Sequence, residues 1–227
     1  MRIEIPSGSI VLFCGVTGAG KTTLMKDVER RQGRKTPFGA DNKTFLYHDE
    51  EILNLVGGVS SYITDGDTDA ASNALADKII EIVGNNIFDV VYNGITLFYD
   101  SPFVYAVQID AFISLVNEVR HAVIPPFMPP PDVNLVIVKC YPSEDQEKSF
   151  LEKRYRKLEA DYKKAFGKVG LIQARKQRAE NLELMHKERE SFRQIVEHRY
   201  SDDGADGLTI SEYLVVDAND IDILIVP

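Results

Sequence analysis

Gly15-Val16-Thr17-Gly18-Ala19-Gly20-Lys21-Thr22 is the stretch that decides the fold. It fits the pattern G-x-x-x-x-G-K-[ST], and each residue type in it has a physical task. The glycines let the backbone curl so that successive N–H groups point into one concavity, which suits an oxyanion. A helix that follows directly adds the positive end of its dipole to the same place. Lys21 is a mobile point charge on a long stem. Thr22 offers a hydroxyl to a hard divalent cation, which prefers oxygen.

The flanks set this loop in context. Ile10 to Cys14 is a short continuous apolar run, read as a buried strand. Lys21 to about Gln32 has helical character, with Leu24 and Val28 four apart. A glycine-rich turn between an apolar strand and an amphipathic helix is the setting that a phosphate-binding P-loop requires. The expected ligand is therefore a nucleoside triphosphate with Mg²⁺. Gly15, Val16, Thr17, Gly18, Ala19, Gly20, Lys21, Thr22 and Thr23 are the expected binding residues, with Thr22 on the metal.

The remaining chain alternates strand and helix patterns. Thr44–Tyr47, Ile87–Tyr92, Val133–Val138 and Tyr213–Val216 read as strands, and Ile221–Val226 as an edge strand. Asp69–Val83 and Val104–Val123 carry apolar residues at helical spacing, with a polar loop at Ser60–Asp69. The proline run within 125–131 ends the second of these helices. Glu144 to about Arg199 is long, charged and helical, interrupted near Gly167 and Gly170, and Ser201–Gly207 reads as a loop. This order predicts one α/β domain over residues 1–227: a three-layer P-loop NTPase fold, a mostly parallel sheet of about five strands, and a helical lid at 144–200.

Composition narrows the function. The 227 residues carry a formal net charge of −9 at pH 7, which argues against general coating of nucleic acid. A hydrophobic share of 44% and a charged share of 27% suit a folded globular chain. No run of 18 apolar residues occurs, so a membrane partner is not expected. Met1 to Pro6 does not read as a signal peptide. Cys14 and Cys140 lie far apart in apolar stretches, and two reduced core thiols fit a cytoplasmic setting. The charge is unevenly spread: residues 153–178 carry +8 and the rest carries −17.

A P-loop names a nucleotide, not a reaction. Motor and switch ATPases place an Asp after an apolar strand, but Val90-Val91-Tyr92 is followed by Asn93, and Val138 by Lys139. Neither an ABC-type signature nor a guanine-reading NKxD motif is present. The chain resembles the P-loop kinase superfamily that includes nucleoside monophosphate kinases, such as thymidylate kinase, and 5′-polynucleotide kinases with their zeta-toxin relatives. Gly15–Thr23 carries the specific part of the likeness. Pro131–Val138 resembles the thymidylate-kinase strand opened by Pro-Asp, Glu144–Arg154 the helix leading to the lid, and Val215–Ala218 the strand and loop beside adenine. Thr96-Leu97 stands where thymidylate kinases have an Asp-Arg pair that holds the acceptor phosphate. Tyr47-His48-Asp49-Glu50 fits the place where polynucleotide kinases have a general base, although the Arg that often follows is missing.

The resemblance implies an ATP-dependent kinase whose acceptor is a nucleotide, a nucleoside or a nucleic-acid 5′-hydroxyl. Lys21 would act on the phosphates and Asp49 as base, unless Asp49 merely caps a helix starting near Glu50. Arg154, Arg156, Arg175 and Arg178 are lid candidates for the transferring phosphoryl group, with Gly167 and Gly170 as hinge. A plain solvated helix or a nucleic-acid contact are the other readings of that basic stretch. Asp217 and Ala218 either flank the adenine or form an ordinary turn, and Tyr99, Phe103 and Tyr105 either stack on an acceptor base or fill the core. An NTP-binding regulatory or assembly protein is the alternative outside the kinases.

Overall fold

The structure is a computed structural model and describes residues 1–16, 18–32, 44–47, 96–100, 106–122, 132–200 and 207–227. The elements, in chain order, are β1 (Arg2–Pro6), β2 (Ser9–Cys14), α1 (Lys21–Gln32), β3 (Thr44–Tyr47), β4 (Thr96–Asp100) and α2 (Ala106–Ala122). They continue as β5 (Val133–Cys140), α3 (Glu144–Glu197), β6 (Leu208–Val215), a 3-10 turn (Ala218–Asp220) and β7 (Asp222–Val226). The expected helix at Asp69–Val83, the strand at Ile87–Tyr92, the loop at Ser60–Asp69 and the proline run lie outside the described residues.

Five strands form one parallel sheet in the order β3-β4-β2-β5-β6. Every residue of β2 is buried, as a central strand covered on both faces requires. Ile10, Val11 and Leu12 stand between Leu97, Phe98 and Tyr99 of β4 and Leu135, Val136 and Ile137 of β5. The rings of Phe13 and Phe98 stack with centroids 6.0 Å apart. Each such fully buried side chain contributes about 1.5–3 kcal/mol of transfer free energy. From α1, Leu24, Met25 and Val28 join this core, and from α2, Ile109, Phe112 and Val116. The chain is thus an α/β protein with parallel sheets.

Several boundaries differ from the sequence reading. Thr96–Asp100, which the sequence places beyond the third strand, is itself a strand, and Thr96, Leu97 and Phe98 are buried in it. β5 runs two residues past Val138, because Lys139 is buried against a partner: it pairs with Glu212 at 2.7 Å and donates to the His198 carbonyl at 2.6 Å. β6 begins at Leu208 rather than Tyr213, in unbroken register with β5 from Val133 to Cys140. Among the described residues β7 joins no edge of the main sheet. It pairs in parallel with β1, from Arg2 with Asp222 to Pro6 with Val226.

α3 is two helices joined at Gly167, whose φ of 63° and ψ of −140° break the run. Ser143 opens it with a capping box to Gln146, and Glu144, Asp145 and Glu147 sit in its first turn, against the positive end of the dipole. The arms fold into an antiparallel hairpin. Glu147 meets Arg189, Tyr155 meets Arg178, Glu159 meets Arg175, and Tyr162 meets Gly170. Gly170 lies so close to the Tyr162 carbonyl that a side chain there has no room.

Candidate nucleotide site

The strands that follow β2 in the chain part around it, β3 and β4 to one side, β5 and β6 to the other. The crevice beyond the carboxyl ends at such a switch point is where open α/β sheets take ligands. The loop between Cys14 and Lys21 stands there.

Two close approaches fix its shape. Gly15, at φ +152°, lies against the Cys140 carbonyl at the end of β5. Gly20, at φ +93°, faces Ala218, and a Cβ on Gly20 would fall 2.7 Å from the Ala218 Cβ. A side chain at Gly15 would collide with the Cys140 carbonyl and one at Gly20 with Ala218. Within the loop the Ala19 amide donates to the Val16 carbonyl at 3.1 Å, and the Leu24 amide to the Gly20 carbonyl at 3.1 Å, which starts α1. Lys21 donates to the Gly15 carbonyl at 2.6 Å and to the Val16 carbonyl at 3.2 Å. Thr22 and Thr23 are exposed in the first turn of α1. Thr17 and Asp49 lie outside the described residues. The cradle and the Lys21 charge fit a polyphosphate, and the Thr22 hydroxyl is a fitting oxygen donor for Mg²⁺.

Asp217 and Ala218 reach the loop from the far end of the chain. Ala218 packs on Gly20, while the Asp217 carboxylate accepts from the Asn219 amide at 2.9 Å and from the Gln146 side chain at 2.8 Å. Asp217 therefore caps the 3-10 turn and ties it to α3. Cys14 is buried, and burial pushes its thiol above the usual range.

The hairpin touches the loop low on its first arm, where the Leu151 side chain would lie 3.3 Å from a Cβ on Gly18. At 1.5 Å of rise per residue, Tyr155 and Arg178 opposite it stand about 6 Å farther out, and Glu159 and Arg175 about 12 Å farther out. Arg178 packs over the Tyr155 ring at 5.3 Å and pairs with Glu159 at 3.6 Å. Arg175 pairs with Glu159 at 3.8 Å. Arg154 is exposed on the first arm, and Arg156 pairs with Glu152 at 3.5 Å.

Sequence reasoning missed the group at the hairpin base. Arg189 pairs with Glu147, donates to the Pro142 carbonyl at 3.0 Å and covers the Tyr141 ring at 4.5 Å. Glu188 beside it feels the Lys21 charge. Burial and the Glu147 charge push the Glu188 carboxyl above the usual range, and Lys21 pulls against them. Burial likewise raises Glu147, against the pull of Arg189. A cavity of about 410 Å³ opens between the arms, lined by Glu147, Leu151, Tyr155, Arg178, His186 and Arg189 among others. The apolar stripe Leu151-Tyr155-Leu158 was the available signal for this packed face.

A parallel sheet, a glycine cradle at its switch point and a lysine leading the next helix define a P-loop nucleotide-binding domain. The chain belongs to the AAA domain family, a P-loop, kinase-like family, whose model matches residues 10–166. A search of the curated proteins finds no match.

Proposed function

We propose that this chain is a Mg·ATP-dependent phosphotransferase of the P-loop kinase type, acting on a nucleotide, a nucleoside or a nucleic-acid 5′-hydroxyl. The observation that carries this reading is the convergence on one cradle of three distant segments: Lys21 from α1, Leu151 from the α3 hairpin and Ala218 from the late turn. A phosphate loop beside a hairpin that can close on it suits group transfer, because excluding water strengthens each charge contact and favours the acceptor over hydrolysis.

The loop amides and Lys21 hold the triphosphate, and Lys21 exchanges its carbonyl partners for phosphate oxygens. Thr22 would hold Mg²⁺, whose charge would offset that of the phosphates. Asp49 accepts the proton of the acceptor hydroxyl. Arg178, the candidate lid arginine nearer the loop contact on the second arm, leaves Glu159 to meet the transferring phosphoryl group, with Arg154 and Arg175 as the alternatives.

Incubation with γ-labelled ATP and a panel of nucleosides, nucleoside monophosphates and 5′-hydroxyl oligonucleotides tests the reading, and label on one acceptor class is the expected result. Asp49→Asn should abolish transfer and leave ATP binding nearly intact. Unchanged turnover would make Asp49 a helix cap.

One observation favours a second reading, an NTP-binding regulatory protein. Arg175 and Arg178 are both engaged by Glu159 rather than by the loop. ATP binding without labelling of any acceptor would support it.

A further inference from the structure

The apex of the α3 hairpin has a character unlike the rest of the surface. Phe166, Val169 and Ile172 expose 65%, 73% and 70% of their area. These three crowd into the turn around Gly167, while Ala174, farther down the second arm, is fully buried. From 162 to 178 the chain carries six cations and no carboxylate. Arg175 and Arg178 turn to Glu159, whereas Lys163, Lys164 and Lys168 are exposed around the apolar tip.

An occupant must match both features at once. A second copy docked tip to tip would set Lys163, Lys164 and Lys168 against their own copies, and like charges repel. A nucleic acid supplies the opposite charge and offers flat bases. Of the three exposed apolar side chains only Phe166 has a π face to stack on a base, whereas Val169 and Ile172 have none. An anionic bilayer surface supplies both needs, since its headgroup region takes apolar side chains while its phosphates and carboxylates attract lysines.

The reach of the hairpin favours the same partner. Phe166 stands fifteen residues beyond Leu151, the residue on the phosphate loop, or about 22 Å at 1.5 Å per residue. That exceeds two Debye lengths of about 8 Å each in physiological salt. The carboxylates at the hairpin base, Glu144, Asp145 and Glu147, lie farther still from the tip and are therefore largely screened from a surface that it touches.

We propose that the α3 apex is a peripheral docking point for an anionic lipid surface. Phe166, Val169 and Ile172 enter the headgroup region, and Lys163, Lys164 and Lys168 extend along it to the lipid charges. This departs from the sequence expectation of no membrane partner, which rested on the lack of a spanning segment. Among the described residues no helix is long and apolar enough to cross a membrane, and a surface contact needs none.

The test uses the full chain and sedimentation with phosphatidylcholine vesicles, with and without phosphatidylserine. Wild type should bind only the phosphatidylserine vesicles. Lys163→Glu, Lys164→Glu and Lys168→Glu together should weaken that binding by about a hundredfold or more, as each lysine near the surface contributes about fivefold. Phe166→Ser, Val169→Ser and Ile172→Ser together should also lose it. The chain has no tryptophan, so Phe166→Trp puts its one tryptophan at the apex, to be excited selectively over the tyrosines. Its emission should shift to the blue on phosphatidylserine vesicles and stay unchanged on phosphatidylcholine. Wild type indifferent to phosphatidylserine, variants that bind like wild type, or a Phe166→Trp signal that does not move would each overturn the proposal. Binding of a single-stranded oligonucleotide at the apex without vesicle binding would also overturn it and name nucleic acid as the partner.

Discussion

The Lys21 ammonium donates to the Gly15 carbonyl at 2.6 Å, so the lysine that leads α1 closes the loop that ends β2. Its second bond, to Val16 at 3.2 Å, is to the same loop. Lys21→Ala should therefore leave the fold intact, because the core under the loop does not use this side chain. ATP turnover should fall by about 10²–10³, the effect of losing one preorganised charge contact. Thermal melting and steady-state turnover on one preparation check both halves, and turnover within a factor of two of wild type would remove Lys21 from the chemistry.

Gly20 and Ala218 are pressed together by the late turn. Gly20→Ala should cost about 1–3 kcal/mol for the positive φ alone, with the 2.7 Å approach to Ala218 added. Adding Ala218→Gly should recover the contact part and leave the backbone part. Denaturant melts of the single and double variants check this, and complete recovery would show that the backbone carries no strain.

Arg189 and Glu147 form the buried pair at the hairpin base, with side chains 12% and 8% exposed. Arg189→Ala strands the carboxylate, and breaking one half of such a pair costs about 3–5 kcal/mol. Glu147→Gln should cost less, because burial already favours the uncharged form there. Thermal melts should rank the variants in that order, and the reverse order would contradict the pairing.

Glu188 supplies a pH prediction. Its carboxyl is raised above the usual range by burial first. The folded state then holds this proton more tightly than the unfolded state. The charged form costs stability, so this contribution declines as pH rises from about 4.5, the unfolded value, through the raised folded value. Glu188→Gln should accordingly melt higher than wild type at neutral pH, and the gap should close near pH 4. A gap that widens in acid would mean the sign is wrong.

What the sequence revealed depends on how far apart the interacting residues lie. The cradle was legible because its residues are consecutive, and β2, β3 and the first part of β5 because their apolar or β-prone residues are contiguous. β1 was not read as a strand: its inward residues are only Ile3 and Ile5, and its partner β7 lies at the other end of the chain. Lys139 looked like the end of a strand because a lone lysine is costly to bury. Only the β5–β6 register brings Glu212 within 2.7 Å of it. Arg189 stayed hidden in a stretch of mixed charge, since Glu147 is 42 residues away. The break at Gly167 was expected near the right place, because glycine alone accepts its positive φ at little cost.

The candidate lid arginines follow a separate expectation. If the hairpin closes on the loop, Arg178→Ala should lower kcat by about 10³ or more and leave the ATP dissociation constant near that of wild type. Arg154→Ala and Arg175→Ala serve as comparisons, and pre-steady-state kinetics separates chemistry from binding. A loss confined to ATP affinity would assign Arg178 to the ground state.

The central claim is that the β2–α1 loop holds ATP for transfer of its γ-phosphate. A single-turnover reaction with γ-labelled ATP bound to excess protein, quenched in time with the acceptor panel present, tests it most directly. The account predicts that label moves to one acceptor class in wild type and that Lys21→Ala is slower by about 10²–10³. Label that stays on ATP, or that appears only as free phosphate with every acceptor, would contradict it.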